Sequence, residues 1–148
     1  MSIFDITNLF CEDQAVTADA ASTNTIDLGA TGKPYGDSRS LVRDIGKGDR
    51  VPLSINVTET FNNLTSVEIQ LQTDDNSGFS SAQVVARATD LLAELTAGKQ
   101  LTFPDDIPEG TNEQFMRLYF DITGTAPSTG KFTAGIVAAR HSNFVGGQ

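Results

Sequence analysis

Tryptophan is absent from this sequence, and cysteine and histidine occur once each among 148 residues. The single cysteine, Cys11, has no partner within the chain, which excludes the intramolecular disulfides that hold small secreted domains together. We therefore expect Cys11 to be a free, buried thiol. Zinc sites and nucleophile triads need several histidines or cysteines, and His141 lies near the C-terminus. We predict that the protein is not an enzyme and has no catalytic residue and no cofactor.

Long apolar runs are missing as well. No segment approaches the roughly 18 consecutive apolar residues that a membrane-spanning helix needs. The N-terminal MSIFDITNLF lacks the basic start and the long apolar stretch of a signal peptide. We expect a soluble chain that is made in the cytoplasm and has no membrane partner.

Positive charge is scarce, with 10 lysines and arginines against 19 acidic residues and a formal net charge of −9. Binding to a nucleic-acid backbone requires concentrated lysine and arginine. Nucleic acid is therefore excluded as the main partner. An acidic surface favours solubility, or a basic partner.

The residues that are present are typical of strands joined by turns, and the length suits a single domain. The clearest alternation covers 115–123, where Met116, Leu118 and Phe120 share one face. Residues 65–88 have the strand, tight loop and strand pattern of a β-hairpin. Further short strands are predicted at 14–20, 23–28, 51–58, 101–103 and 132–138. The sequence predicts an all-β fold, an antiparallel β-sandwich of the jelly-roll-like type.

The predicted organisation is an N-terminal arm at 1–12, a sandwich domain at 13–140 and a C-terminal tail at 141–148. The arm is unusually apolar for a chain end, and its apolar residues are Ile3, Phe4, Ile6, Leu9 and Phe10. Such a segment needs a surface to cover it. It either packs under its own sandwich or lies on a neighbouring subunit as an added strand.

Residues 29–50 show no periodicity and contain five of the ten basic residues. These five are Lys33, Arg39, Arg43, Lys47 and Arg50. A loop of this length without regular structure is uncommon in a compact domain and is usually functional or mobile. Acidic residues alternate with the basic ones, so the segment is either a solvated loop of mixed charge or an interaction loop that orders against a partner.

Two local patterns give narrower predictions. Residues 90–95 can form about one helical turn, with Asp90 as the N-cap and Gly98 near its end. Gly135 lies in the last predicted strand among small outward residues, which would let another element pack closely there.

Acidic residues gather in two turn-rich segments, which are candidate calcium sites because hard cations bind clustered oxygens. The first contains Asp74, Asp75 and Asn76, and the second contains Asp105, Asp106 and Glu109. Neither has the spacing of an EF-hand loop. The favoured interpretation is turn chemistry, in which Asp and Asn side chains accept hydrogen bonds from their own backbone. We predict no metal site.

Four blocks of the sequence carry a resemblance to a known family. They are AVTADAASTNTIDLG at 15–29, IQLQTDDNSGFSSA at 69–82, ELTAGKQ at 94–100 and FMRLYFDITGTAPSTGKFTAGIV at 115–137. In order and spacing the chain resembles the capsid cement proteins of tailed bacteriophages, of the Bbp16 type. The family pattern has a shorter connection where this chain has residues 29–50.

The resemblance implies a small jelly-roll-like domain that binds the outer surface of an icosahedral capsid in the virion. It would bridge neighbouring major capsid proteins and stabilise the DNA-filled head without catalytic residues. Homo-oligomers are usually symmetric, so a dimer is favoured and a trimer is the alternative. The expected contacts with capsid or sister subunits are Ile3, Phe4, Phe10, Arg39, Arg43 and Arg50.

Two other classes remain open. A virion-associated carbohydrate-binding or host-adhesion module would also be an acidic β-sandwich, and it would bind glycans through Tyr35 or Tyr119. A hydrolase would depend on one carboxylate for turnover. No residue pattern in the sequence favours either class over the capsid protein.

Overall fold

The computed structural model describes residues 4–103 and 105–138. They form eight strands and one short 3₁₀ helix. The strands are β1 Phe4–Ala15, β2 Ala20–Ala21, β3 Ile26–Asp27, β4 Leu53–Glu59, β5 Leu64–Asp74, β6 Gln83–Leu91, β7 Phe115–Gly124 and β8 Lys131–Val137, and the helix is Leu92–Glu94. The prediction of an all-β fold is confirmed.

The strands form two antiparallel sheets. In the first, β8 lies between β1 and β4, and in the second the order is β2, β7, β5 and β6, with β3 also paired to β7. A further segment, 98–103 and 105–107, runs beside β4. There the Leu101 amide donates to the Ile55 carbonyl at 2.9 Å, and the Leu53 amide donates to the Asp105 carbonyl at 2.9 Å. This segment completes the first sheet on its open side.

The chain crosses between the two sheets at four strand connections, β1–β2, β3–β4, β4–β5 and β7–β8, and the β5–β6 hairpin joins neighbours within one sheet. The first sheet contains three of the named strands and the second contains five. Two antiparallel sheets that exchange the chain in this way fit the jelly-roll-like type of sandwich. The prediction of an antiparallel jelly-roll-like sandwich is therefore confirmed.

The core lies between the sheets and follows from the two-residue period of the strands. In β5 the side chains of Val67, Ile69 and Leu71 are fully buried, whereas the intervening Glu68 and Gln70 are only partly buried. Aromatic rings join the sheets at the centre. The rings of Phe120 in β7 and Phe132 in β8 stack with centroids 5.0 Å apart, and Phe61 lies 4.7 Å from Phe132.

The N-terminal segment does not form a separate arm in the part that the structure describes. β1 pairs with β8, and its residues Phe10 and Cys11 are fully buried in the core. The first of the two alternatives, packing against the chain's own sandwich, therefore holds for 4–12. Ile3 and the predicted tail, 141–148, lie outside the described residues.

Gly135 explains how β1 can approach β8. A Cβ atom at this position would lie 2.8 Å from the Asn8 carbonyl oxygen and 3.1 Å from the Leu9 Cα atom. The close packing predicted at Gly135 is therefore made by the chain's own first strand.

Two local predictions need correction. Asp90 does not cap a helix, because β6 continues through Leu91 and Asp90 pairs with Val67 of β5. Only the three residues Leu92–Glu94 remain for a helical turn, and Leu91 is the N-cap without a side-chain bond. The strand predicted at 14–20 is interrupted, because β1 ends at Ala15 and β2 contains only two residues.

Within the described residues, no helix combines the length and the apolar composition that crossing a membrane would require.

Candidate functional site

Three loops emerge from one end of the sandwich. β5 ends at Asp74 opposite Phe115, where β7 begins, and the start of β4 lies opposite the end of β8. An isolated bridge between Pro52 and Asp106 joins the residue before β4 to the segment that precedes β7. Residues 28–52, 75–82 and 105–114 therefore lie together, and we call this region the loop end.

The long basic loop is attached to the neighbouring loop through Asp44. The Gly110 amide donates to Asp44 Oδ2 at 2.9 Å, and the Thr111 hydroxyl and the Gly46 amide each donate to Oδ1 at 3.2 Å. The hydrogen bond from Gly110 is the main reason why the pKa of Asp44 is lowered. At neutral pH the ionised carboxylate therefore joins two segments that are 66 residues apart in sequence.

Close packing strengthens this attachment. Gly46 lies so near Pro108 that a Cβ atom would be 1.9 Å from the Pro108 carbonyl oxygen. The Arg43 amide donates to Asn112 Oδ1 at 2.8 Å, and Ile45 packs against the hydrophobic core. We call residues 43–50 the stem of the loop, because this part is held against the domain.

The three predicted contact arginines have different surroundings. Arg50 donates from Nε to Asp106 Oδ2 at 3.0 Å, and this carboxylate raises its pKa. Arg39 pairs with Asp37, two residues before it, at 3.1 Å. Arg43 is partly buried in the stem. The structure thus places Arg43 and Arg50 on the attached stem and Arg39 on the outer part of the loop.

The outer part, residues 30–42, is the apex of the loop. The Leu41 amide donates to the Gly32 carbonyl at 2.9 Å, which joins the two sides of the apex near its base. The Tyr35 side chain is fully exposed, and Leu41 and Val42 are 55% and 74% exposed. The contact prediction from sequence missed Leu41 and Val42. An apolar pair in a segment without strand periodicity was the available signal.

The predicted contact residues of the N-terminal segment differ in how far they are buried. Phe10 is fully buried in the core and offers no surface to a partner, so we do not retain it as a contact residue. Phe4 is partly buried and pairs with Val137. It lines a shallow depression of about 530 Å³ together with Asp5, Asn8, Ile136, Val137 and Ala138.

The two candidate calcium loops use their carboxylates internally. Asp74 accepts hydrogen bonds from the Asn76 amide, the Ser81 amide and the Ser81 hydroxyl at 2.8–3.1 Å. Burial acts to raise the pKa of Asp74, but these hydrogen bonds outweigh it and the pKa is lowered. Asp106 is occupied by Arg50. The described residues contain no group of three or more His, Cys, Asp or Glu side chains that could hold a metal ion.

The outer face of the second sheet carries a chain of polar contacts. Gln70 donates to Glu68 at 2.7 Å, Gln72 donates to Gln70 at 2.9 Å, and Arg117 donates to Gln72 at 3.0 Å. The Arg117 guanidinium lies 4.0 Å from the centre of the Phe79 ring. This chain ties the 75–82 loop, which contains Phe79, to the face of the sheet.

Tyr119, one of the two aromatics expected to bind glycans, lies on this face. It is partly buried, and its ring centre is 5.8 Å from the Arg117 guanidinium. Tyr35 is fully exposed on the apex. The structure therefore does not bring the two tyrosines into one site. His141 lies outside the described residues.

The fold and the loop end define a class of protein, a jelly-roll domain with a long basic loop held at its stem and exposed at its apex. The chain belongs to the Bbp16 family, whose family model matches residues 10–139. A search of curated proteins found no match.

Proposed function

We propose that this protein is a capsid cement protein of a tailed bacteriophage. It binds the outer surface of the icosahedral shell, bridges neighbouring major capsid proteins and stabilises the DNA-filled head. Membership of the Bbp16 family supports this proposal. The structural observation that carries it is the loop end, where an acidic domain presents a basic loop on a firmly attached stem.

The charge distribution suits attachment in one orientation. Residues 29–50 contain half of the chain's lysines and arginines, although the net charge of the whole chain is −9. An acidic patch on the shell attracts this loop and repels the rest of the surface. The proposed contacts are Arg39, Arg43 and Arg50 in the loop, together with Ile3 and Phe4 at the N-terminus.

Several weak contacts are sufficient for a cement protein. Once one contact has formed, the others occur at a high effective concentration, so the combined affinity exceeds that of each patch. A symmetric homo-oligomer multiplies the contacts further. We propose a dimer at two-fold positions of the shell, with a trimer at three-fold positions as the alternative.

The direct test is co-sedimentation of the purified protein with shells assembled from the phage's major capsid protein, followed by cryo-EM of the pellet. We expect stoichiometric, ordered density on the outer surface. Absence of the protein from mature shells would refute the proposal.

The loop can be tested separately by replacing Arg39, Arg43 and Arg50 with Ala. We expect about tenfold weaker attachment or more, because rim charges and anchoring arginines contribute to protein interfaces. The matched control replaces Arg87, Lys99 and Lys131 with Ala, which removes the same charge outside the loop. Equal occupancy of the shell by wild type and loop variant would exclude the loop from the contact.

A carbohydrate-binding or host-adhesion module is the second candidate. The fully exposed Tyr35 ring favours it, since exposed aromatic rings provide contact area for ligands. A glycan array probed with wild type and Tyr35→Ala distinguishes this candidate. Glycan binding that depends on Tyr35, without attachment to shells, would favour the adhesion module over the cement protein as the function.

A further inference from the structure

Exposed apolar side chains are concentrated at the apex of the loop. Of the six large hydrophobic residues exposed in the described chain, three lie at the apex: Tyr35, Leu41 and Val42. Single exposed apolar residues are common on protein surfaces and need no explanation, but a local group marks an interaction site. The concentration of three such residues within eight positions of one loop makes the apex the candidate contact surface.

The apex is also a closed unit. The hydrogen bond from the Leu41 amide to the Gly32 carbonyl joins its two sides, and the Asp37 amide donates to the Pro34 carbonyl at 3.1 Å. Asp37 in turn accepts from the Arg39 amide at 2.9 Å and pairs with the Arg39 side chain. These contacts all lie within the apex, so its form depends little on the rest of the domain.

The position of the apex depends on the stem that follows it, where the Asp44 carboxylate binds the neighbouring loop. Asp44 follows Val42 by two residues and binds Gly110 and Thr111, and Thr111 is fully buried. A buried partner gives the carboxylate a fixed point of attachment. Loss of these bonds would leave the bond from the Arg43 amide to Asn112 as the nearest attachment, and would therefore loosen the C-terminal side of the apex without disturbing the contacts inside it.

The charges of the apex indicate the chemistry of the partner. Lys33 and Arg39 outnumber Asp37, on a molecule that is strongly acidic as a whole. Tyrosine and arginine are the residue types that most often contribute large binding energies at protein interfaces. The complementary surface is an apolar recess with carboxylates at its rim.

We infer that residues 30–42 form a preorganised contact that inserts into an apolar, carboxylate-rimmed recess of the capsid shell, and that Asp44 is the residue that positions it. This inference rests on the proposed function for the identity of the partner. It assigns the main contact to Tyr35, Leu41 and Val42 rather than to the arginines of the stem.

The contact is tested with the double variant Leu41→Ser/Val42→Ser and with Tyr35→Ala, in co-sedimentation with shells. Because these side chains are exposed, the variants should fold with an unchanged melting temperature. We expect about tenfold to hundredfold weaker attachment for each. The matched control, Val84→Ser/Leu91→Ser, removes two exposed apolar side chains of β6 and should attach as the wild type does.

The positioning role is tested with Asp44→Asn. In hydrogen exchange of the free protein, we expect faster exchange of amides at 30–42 and unchanged exchange in β5 and β7. Attachment to shells should be about tenfold weaker, because ordering the loop now accompanies binding. Asp37→Asn, which removes a carboxylate inside the apex, should leave exchange at Gly110 unchanged, whereas Asp44→Asn should accelerate it.

The outcomes separate the two proposals. Failure of the wild type to bind shells would overturn the cement function and this inference together. Binding of the wild type with equal binding of the apex variants would overturn only the apex contact. Unchanged exchange at 30–42 in Asp44→Asn would overturn the positioning role.

Discussion

The Cys11 thiol is fully buried in the hydrophobic core, where its Sγ lies 3.6 Å from the Phe132 carbonyl oxygen. Burial disfavours the thiolate and raises the pKa of Cys11 to about 12. Since the thiolate is the reactive form, the buried thiol is inert in the folded protein.

We therefore expect Cys11 to resist alkylation at about pH 8 until the protein unfolds. The labelling rate should rise with denaturant in parallel with loss of the β-sheet circular dichroism signal. Rapid labelling of the native protein would contradict the burial of β1.

Asp90 is the second residue whose environment has a measurable consequence. Its side chain lies on a partly buried position of β6, and Oδ2 is buried without a hydrogen-bond partner among the described residues. Burial raises the pKa of Asp90, and the nearby Lys99 partly opposes the shift. A raised pKa means that the folded state favours the protonated form, so this group's contribution to stability is full below about pH 3.8 and is lost as the pH rises through the folded-state pKa.

Asp90→Asn should therefore increase stability at pH 7. The expected gain is roughly 0.5–1 kcal/mol, reduced from the usual penalty for a buried unsatisfied group because the site is only partly buried. Urea unfolding at about pH 7 and pH 3.5 measures it, and the gain should shrink at the lower pH, where Asp90 is already protonated. Asp49→Asn, an exposed change of the same charge, is the control. A gain that is the same at both pH values would show that the charge of Asp90 is not its cause.

At the scale of elements, β1 depends on the absence of a side chain at Gly135. β1 is an irregular edge strand with three register shifts along β8. Its backbone nevertheless comes within 3 Å of the position where a Cβ of residue 135 would lie. The close approach buries Phe10 and Cys11 in the core. The absence of a side chain at Gly135 therefore allows β1 to contribute to the core.

Gly135→Ala should destabilise the protein by about 1–3 kcal/mol, the usual effect of forcing extra volume into a packed site. The midpoint of urea unfolding measures the change. Gly32→Ala is the control, since nothing lies within 4 Å of a Cβ at that position. If the two variants unfold at the same midpoint, the close approach of β1 to β8 is not tight enough to matter.

For the whole molecule, the main feature is the contrast between an acidic domain and a basic loop. The Debye length is about 10 Å at 0.1 M ionic strength and shortens as salt is added, so attraction between exposed charges farther apart than this is largely screened. Attachment to shells should therefore weaken as salt is raised from about 0.05 to 0.5 M. The variant that lacks Arg39, Arg43 and Arg50 should show a smaller salt dependence. Equal salt dependence of wild type and variant would place the electrostatic contact elsewhere on the molecule.

Much of the fold could be predicted because burial in a half-covered strand repeats every two residues. The pattern of Met116, Leu118 and Phe120 identified β7, and the hairpin of β5 and β6 followed from its polar loop between two alternating segments. The length of the basic loop, 29–50, was also visible in the sequence, and the structure has only turns and bends there. Each of these features is set by residues that lie close together in the sequence.

The candidate site could be predicted only in part. The sequence singled out the basic loop, but it treated Arg39, Arg43 and Arg50 alike and placed Phe10 in a contact. The surroundings of Arg50 and Phe10 are set by partners distant in sequence: Asp106 binds Arg50, and the hydrophobic core between the sheets encloses Phe10. No local pattern encodes such partners.

Local sequence therefore predicted β4, the β5–β6 hairpin, β7, β8 and the position of the long basic loop, because alternation, turn residues and charge are local properties. Only the tertiary contacts make 4–15 a strand of the sandwich and place 98–103 and 105–107 beside β4. They also decide that Asp44 holds the stem while the apex remains exposed. The physical reason is that these features depend on hydrogen bonds and packing between residues that are brought together only when the two sheets close on each other.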